Sequence, residues 1–343
     1  IRFSSVVAAV PVFRGFVGII FRPKRNPALS QDIDGISYDT PVGLAAGFDK
    51  NGEIMPTIAA LGFGFGEVGS VTDIPCEGNP KPWFYRLPKT QSAVVNAGLA
   101  NEGSVAIIKR IQSLNPRSIN NFPIILSVAK TNSCEVVSVS AGIKDYVNTI
   151  KRAMRANNIK GIELNISCPN AFGGEPFTNP VDLEKLLRAV DKLGVKKPVY
   201  VKMPLDLSWR EFEGLLDVIV RHKVAGVTIA NLQKDRTKVD LRDELPEGIR
   251  GYLSGRPTWE ASNDLIKRTY KNYHGKLTII GVGGIFSAQD AYTKIKLGAD
   301  LVELATGVIF NGPQIVAQIN AELVDLLKND GYTNISQAVG KDA

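Results

Sequence analysis

Thr278–Gly307 reads TIIGVGGIFSAQDAYTKIKLGADLVELATG. Two short runs rich in Ile, Val and Leu, each closing on glycine, flank a helix-like stretch at Ala288–Leu297. Continuous apolar runs of this kind suit strands buried on both faces, as in a parallel sheet. Working outward, the pattern recurs along the chain. Pro41–Gly47 (PVGLAAG), Gly64–Val71 (GFGEVGSV), Pro123–Ala129 (PIILSVA) and Gly161–Ser167 (GIELNIS) precede it. Val199–Met203 (VYVKM) and Gly226–Asn231 (GVTIAN) follow these, and Thr278–Gly284 and Leu301–Gly307 bring the count of runs to eight. Helix-like stretches lie between most of them, at Asn51–Leu61, Ser138–Asn157, Pro180–Leu193 and Trp209–His222, and Pro313–Asn329 follows the last. Eight strand–helix units in about 270 residues match an α/β fold of the (β/α)8 TIM-barrel class, whereas a doubly wound sheet usually needs fewer strands.

Two insertions interrupt the repeat. Thr72–Asn121 is Pro-rich at its start, and Leu232–Pro257 is charged. Both follow a strand's C-terminal end, where barrels place their active sites, so they read as a cap and a mobile lid. The barrel takes residues 31–343 as one domain. Residues 1–30 read as a short N-terminal helical extension. Within it Ser5–Phe21 is apolar except for Arg14 and is followed by Arg22, Lys24 and Arg25. No uncharged run of transmembrane length exists there. The segment fits either a packed helix or targeting remnant, or an interfacial helix lying in lipid.

Composition narrows the chemistry. The 343 residues carry 41 Lys+Arg against 34 Asp+Glu, a net charge of +7, and are 44% hydrophobic, enough for a substantial core. Three cysteines make no disulfide framework and suit a reducing compartment. Two histidines, His222 and His274, weigh against a His-ligated metal and a Ser–His–Asp hydrolase. His222 lies in the basic run Arg221-His222-Lys223 and reads as part of a solvated helix face. No nucleic-acid module is present, so the basic balance points to an anionic small molecule or a membrane surface.

The strand ends supply candidates. Barrels often hold a phosphate on the loops after strands seven and eight, which here are Gly281–Gly284 and Ala305–Gly307. Ser254 and Gly255 add donors. Asn96, Asn165, Asn170 and Asn231 converge as a set suited to the amide edges of a flat ligand. Lys50 can pair with a substrate carboxylate, and Lys202 can stabilise negative charge on a cofactor ring. Cys168 is the candidate base at the strand ends, and without a His partner it suits proton abstraction rather than acyl transfer.

At these residues the sequence resembles the dihydroorotate dehydrogenase family, from about Ile36 to the C-terminus. PVGLAAGFDKNGE, GEVGSVT, FYRLPK, ELNISCPN, LSGRPT, IIGVGGI and LVELATG occur in the family's order and spacing. The resemblance implies FMN across the barrel top on Ala45, Ala46 and Gly47, with Ser70, Asn165 and Lys202 at the ring. Ser254, Gly255, Gly283, Gly284, Thr306 and Gly307 would hold its phosphate and surroundings. Dihydroorotate or orotate would be gripped by Lys50, Asn96, Asn165, Asn170 and Asn231, with Cys168 removing the C5 proton while hydride leaves C6.

The family divides into a membrane-associated, quinone-reducing class with an N-terminal extension and usually a Ser base, and a soluble class with Cys. This chain mixes them. Its extension, its GLAAGFDKNGE strand and Arg86 resemble the membrane class, while its SCPN loop and LSVA strand resemble the soluble one. Ser127, Ala305, Leu232 and Ala171 depart from the membrane class's usual residues. The resemblance implies quinone as acceptor, headed by Arg86, and peripheral attachment to a bacterial cytoplasmic or mitochondrial inner membrane through the N-terminus. Fumarate or NAD as a soluble acceptor, another dihydropyrimidine as substrate, and a non-redox phosphate-binding barrel are the competing readings; the sequence leaves the oligomeric state open.

Overall fold

The computed structural model describes residues 25–119, 122–170, 172 and 174–343. The expectations for Ser5–Phe21, its basic flank up to Lys24, and Ala171 lie outside the described residues. In chain order the elements are β1 (Gln31–Ile33), β2 (Ile36–Tyr38), β3 (Val42–Asp49), α1 (Met55–Ala60), β4 (Phe65–Val71), β5 (Phe84–Leu87) and β6 (Ser92–Val95). Then come α2 (Gly103–Gln112), the single turn α3 (Pro116–Ile119), β7 (Ile124–Val128), α4 (Val139–Met154), β8 (Ile159–Asn165), α5 (Pro180–Asp191), β9 (Val199–Lys202) and α6 (Trp209–Ile219). The rest are β10 (Gly226–Ile229), β11 (Tyr252–Gly255), α7 (Trp259–Tyr273), β12 (Thr278–Val282), α8 (Ala288–Lys296), β13 (Leu301–Leu304), α9 (Thr306–Asn311) and α10 (Ile315–Asn329).

Eight strands close into a parallel barrel in the order β10-β12-β13-β3-β4-β7-β8-β9. This is the (β/α)8 barrel that the eight runs predict. Ser138, Asn179, Ser208 and Ser287 cap α4, α5, α6 and α8, each side chain accepting a backbone N–H of the first turn. Such caps contribute about 1 kcal/mol each and fix where the helices begin.

Strand alternation sorts the side chains. Val42, Leu44, Leu126, Leu164, Val201, Val227 and Val302 face outward into the large core under the helices. Their neighbours face inward in layers drawn from alternate strands. At the bottom, Phe65, Ile125, Tyr200, Ile280 and Leu301 form an apolar plug closed by Ile36 and Tyr38 of the β1–β2 hairpin. Tyr38 meets Phe65 edge-on at 5.3 Å between ring centroids. Gly43 is required beside this plug, because a Cβ there would lie 2.3 Å from the Phe65 ring. One step up, every second strand contributes a polar residue, Glu67, Glu163, Thr228 and Glu303, all with no exposed surface. Ser127 and Lys202 stand in the next layer, directly under the barrel mouth.

Three expectations change. Leu232–Pro257 is no free-standing lid, because its end forms β11, which pairs antiparallel with β6 of the first insertion. The two insertions thus share one three-stranded sheet, β11-β6-β5, and Asp243 ties them again by accepting N–H groups from Lys89 and Thr90 at 3.1 and 2.7 Å. The helix α7 has no counterpart in the sequence reading. Its buried stripe, Ser262, Leu265, Ile266, Thr269 and Tyr273, has helical spacing, but two polar members disguise it. His222 is not on a solvated face. Its side chain is 6% exposed and clasped by Asp191 at 2.7 Å and Glu184 at 3.2 Å, joining the end of α6 to α5.

Candidate active site

A cavity of about 840 Å³ opens at the C-terminal ends of the barrel strands, under the three-stranded cap. Ala45, Ala46, Gly47, Lys50, Ser70, Cys168, Asn165, Asn170, Lys202 and Asn231 line it. Ser254, Gly255, Gly283, Gly284, Thr306, Gly307 and Arg86 line it as well. Asn96 is the exception among the sequence candidates. It stands behind the wall, its amide oxygen accepting from Asn79 Nδ2 at 3.0 Å, and the same nitrogen donates to the Asn170 carbonyl at 3.1 Å.

The phosphate end is built from backbone. Gly283 has φ +107°, and a Cβ there would stand 2.2 Å from Thr258 Oγ1. A Cβ on Gly307 would lie 2.4 Å from the Ile285 carbonyl. Only glycine fits at either place, and the first N–H groups of α9, at Thr306 and Gly307, have no partner within their helix. The donors and the cramped cradle fit a phosphate. Ala45–Gly47 and Lys202, on strands from opposite sides of the barrel, line the same cavity and suit a flat ring that gains negative charge. The donor set therefore suits a flavin mononucleotide.

The amide end is a connected network. Asn165 Nδ2 donates to Ser70 Oγ at 2.7 Å, and Tyr146 holds the Asn165 carbonyl at 2.7 Å. Asn231 Nδ2 donates to the Ser167 carbonyl at 2.7 Å and to Ser167 Oγ at 3.0 Å. Asp49 turns the chain after Lys50 by accepting the Glu53 and Ile54 N–H groups at 3.0 and 2.9 Å. Burial lowers the Lys50 pKa, and a charged Cys168 would oppose that. Burial pushes the Cys168 thiol up to about 11, against the lowering effects of a backbone hydrogen bond at Asn170 and of Lys50.

The loop carrying Cys168 is pinned. Lys130 Nζ donates to the carbonyls of Val136 and Phe172, each at 3.0 Å. Asn132 accepts the Phe172 N–H at 2.5 Å and donates to Gly98 at 2.9 Å. Lys234, from the second insertion, pairs with Glu175 at 2.6 Å. Sequence reading missed all three, because each acts on backbone or on another loop and carries no motif. Ser127 lies beneath the cavity wall, bonded to Ser70 Oγ at 2.9 Å and donating to Glu163 at 2.8 Å.

Sequence reading also missed the acids. Glu67 and Glu163 each lie 3.7 Å from Lys202 Nζ, and Glu303 lines the cavity floor. A signal was present, since a lone Glu sits inside three otherwise apolar runs, GFGEVGSV, GIELNIS and LVELATG. The cavity also reaches the surface at two exposed apolar residues, Phe84 and Ile309, 48% and 41% exposed. Arg86 lies there, its guanidinium 4.6 Å from the Phe310 ring centroid. Ala305 and Leu232 contribute no hydroxyl to the lining.

Comparison with known proteins gives one family. The family profile described as dihydroorotate dehydrogenase matches residues 28–327. A curated relative from Anaeromyxobacter dehalogenans, named dihydroorotate dehydrogenase (quinone), is 36% identical over 94% of this chain and 87% of its own. One of the same name from Haloarcula marismortui is 35% identical over 92% and 86%. Among solved structures, DHODH in complex with ferulenol from Eimeria tenella superposes with a TM-score of 0.86 at 29% identity, covering 96% of this chain and 94% of that one.

Proposed function

This chain belongs to the dihydroorotate dehydrogenase family, and from that premise we propose how its cavity works. The enzyme oxidises dihydroorotate to orotate in pyrimidine biosynthesis, with quinone as electron acceptor. FMN is the cofactor the family generally uses, and the glycine cradle and a lysine on the cavity lining support it here. When bound it accepts the hydride that leaves C6 of the substrate. Ser254, Gly255, Gly283, Gly284, Thr306 and Gly307 would hold its phosphate. Ala45, Ala46 and Gly47 would support its ring, with Ser70, Asn165 and Lys202 beside it.

The protein's own work is binding, orientation and one proton transfer. Lys50 pairs with the substrate carboxylate, and Asn165, Asn170 and Asn231 hold the ring amides. Asn96 acts through Asn79 by fixing Asn170. Cys168 takes the C5 proton. Because burial holds its thiol near 11, cofactor reduction speeds up as pH rises through the alkaline range, where thiolate becomes populated. The carboxylate of bound substrate consumes the Lys50 charge that otherwise favours thiolate.

The observation that carries this reading is the meeting of Cys168, Lys50 and the amides on the wall of a cavity floored by Lys202. The test is anaerobic mixing with dihydroorotate. The protein should be yellow and bleach, and Cys168→Ala should bleach slower by roughly 10²–10⁴-fold with FMN still bound. A colourless protein, or full-rate bleaching in the variant, defeats the assignment.

Quinone enters past Phe84 and Ile309 to Arg86. No helix among the described residues is long and apolar enough to cross a membrane. We assign attachment to a bacterial cytoplasmic or mitochondrial inner membrane to the apolar sequence Ser5–Phe21 and the basic Arg22, Lys24 and Arg25 after it. Reoxidation by a short-chain quinone should outpace fumarate and NAD, and Arg86→Ala should slow that step alone.

A further inference from the structure

The acidic layer under the cavity has no role in the chemistry above, and its arrangement is costly. Glu67, Glu163 and Glu303 have no exposed surface, and the barrel below them is sealed by the apolar plug. Their one cationic neighbour in the barrel interior is Lys202. Four of their six carboxyl oxygens lack a hydrogen-bond partner: Glu67 Oε1, Glu163 Oε2 and both oxygens of Glu303. Thr228 Oγ1, in the same layer, also lacks one. Three buried carboxylates against one ammonium would leave two uncompensated charges, which a sealed interior does not tolerate. The layer is neutral when one acid is ionised and the other two hold protons.

The acids are not equivalent. Glu67 accepts the Ala46 N–H at 3.3 Å, and Glu163 accepts from Ser127 at 2.8 Å. Both lie within 3.7 Å of Lys202. Glu303 has none of these anchors, and it alone of the three lines the cavity. Its strand neighbours in register, Val282 and Gly43, bring no charge. The charged and titratable groups facing it are Lys202, Glu163, Glu67 and, from below, the Tyr38 phenol.

We propose that this layer is a proton store for the redox site, in which Glu303 binds a proton when negative charge arrives above Lys202 and releases it when that charge leaves. The inference rests on the flavin reading given above. Hydride transfer breaks the substrate C6–H bond and leaves the cofactor with two more electrons, one more proton and one more negative charge. A proton from solvent then adds to a Glu303 oxygen; no further electron moves. On reoxidation the same O–H bond breaks. Glu303 is suited to this because burial first, and then Glu163, hold its acid at about 8 against the pull of Lys202 and the smaller lowering effect of Glu67. Small changes in local charge therefore change its protonation.

The test is the pH dependence of the bound flavin's midpoint potential in the full chain. From about pH 8 upward the wild type should take up about two protons per electron pair. Glu303→Gln, which keeps shape but cannot titrate, should take up about one. Infrared difference spectra of reduced minus oxidised wild type supply a readout that needs no variant. A protonated-carboxyl C=O band, shifted in D2O, should appear on reduction. Equal pH slopes in the two proteins, or no carboxyl band gained, overturns the proposal. A protein that binds no flavin defeats the cofactor reading and this inference together. A yellow protein with equal slopes defeats the inference alone.

Discussion

Two lysines of this barrel are buried to nearly the same degree, Lys202 at 5% exposure and Lys294 at none, and their surroundings drive them in opposite directions. Burial alone would lower the pKa of Lys202, but Glu163, Glu67 and Glu303 outweigh it and carry the ammonium above the ordinary lysine value. Lys294, on the inner face of α8, has only neutral hydrogen-bond partners. It donates to Ser262 Oγ at 2.7 Å and Asn263 Oδ1 at 2.8 Å and stands 4.8 Å over the Trp259 ring. Burial pushes it down to about 7; the more distant Asp290 opposes this and Arg256 adds to it. Burial sets the size of the electrostatic stakes, and neighbouring carboxylates set their sign. The lysine with acids stands at the mouth of the barrel under the reacting centre. The one with no acid in hydrogen-bond contact stands outside the barrel wall, behind the glycine loop.

The largest effect expected from breaking this contrast is at Lys202. Lys202→Met leaves three buried acids with no cation. Unfolding by urea at pH 8 should show a loss of about 3–5 kcal/mol. The acids can relieve this by taking protons, so their folded-state pKa values in the variant stand well above the unfolded ones. Such groups give stability that is lost as pH rises through the folded values. The deficit should therefore shrink at pH 6, and an equal deficit at both pH values would show that the acids do not respond to Lys202.

The same contrast explains what could be read in the sequence. The eight strands were legible because both their faces are buried, which leaves unbroken runs such as PIILSVA. The cradle glycines, Lys50, Cys168 and most of the asparagines were legible because they sit at strand ends, where any residue points into the mouth. Glu67, Glu163 and Glu303 sit two positions deeper, where pattern reading expects apolar residues, and each alone looks like an irregularity. Only closure of the barrel places β4, β8 and β13 so that their acids form one layer around Lys202. The short β1–β2 hairpin and α7 were illegible for a related reason. Three-residue strands carry no period, and the α7 stripe includes Ser262 and Thr269, one of which is there to receive Lys294.

Lys294 itself should give a smaller effect of opposite slope. Its folded pKa, about 7, lies below the ordinary lysine value, so between the two the unfolded chain binds more protons than the folded one. Stability from this group therefore increases as pH rises through that window. Lys294→Met removes the titration along with two hydrogen bonds. The wild type should gain about 2 kcal/mol on the variant between pH 7 and pH 9 in paired urea titrations. A difference independent of pH would mean that Lys294 is charged throughout, and the contrast with Lys202 would collapse.

The smallest effect belongs to a third lysine that has a carboxylate partner and water as well. Lys234 pairs with Glu175 at 2.6 Å with its side chain 29% exposed, linking the second insertion to the loop that carries Cys168. Partly solvated pairs of this kind contribute about 1 kcal/mol or less, because water and salt screen them. Lys234→Ala should therefore change global stability by no more than about that amount, and the difference should fade in high salt. The same pair crosses between two loops that close on the cavity, one of them already held by Lys130 and Asn132. Its loss should thus be felt more in the KM for dihydroorotate than in unfolding. A stability loss as large as that of Lys202→Met would show that solvent access does not weaken a lysine–carboxylate pair here, and that the ordering of the three lysines by environment is wrong.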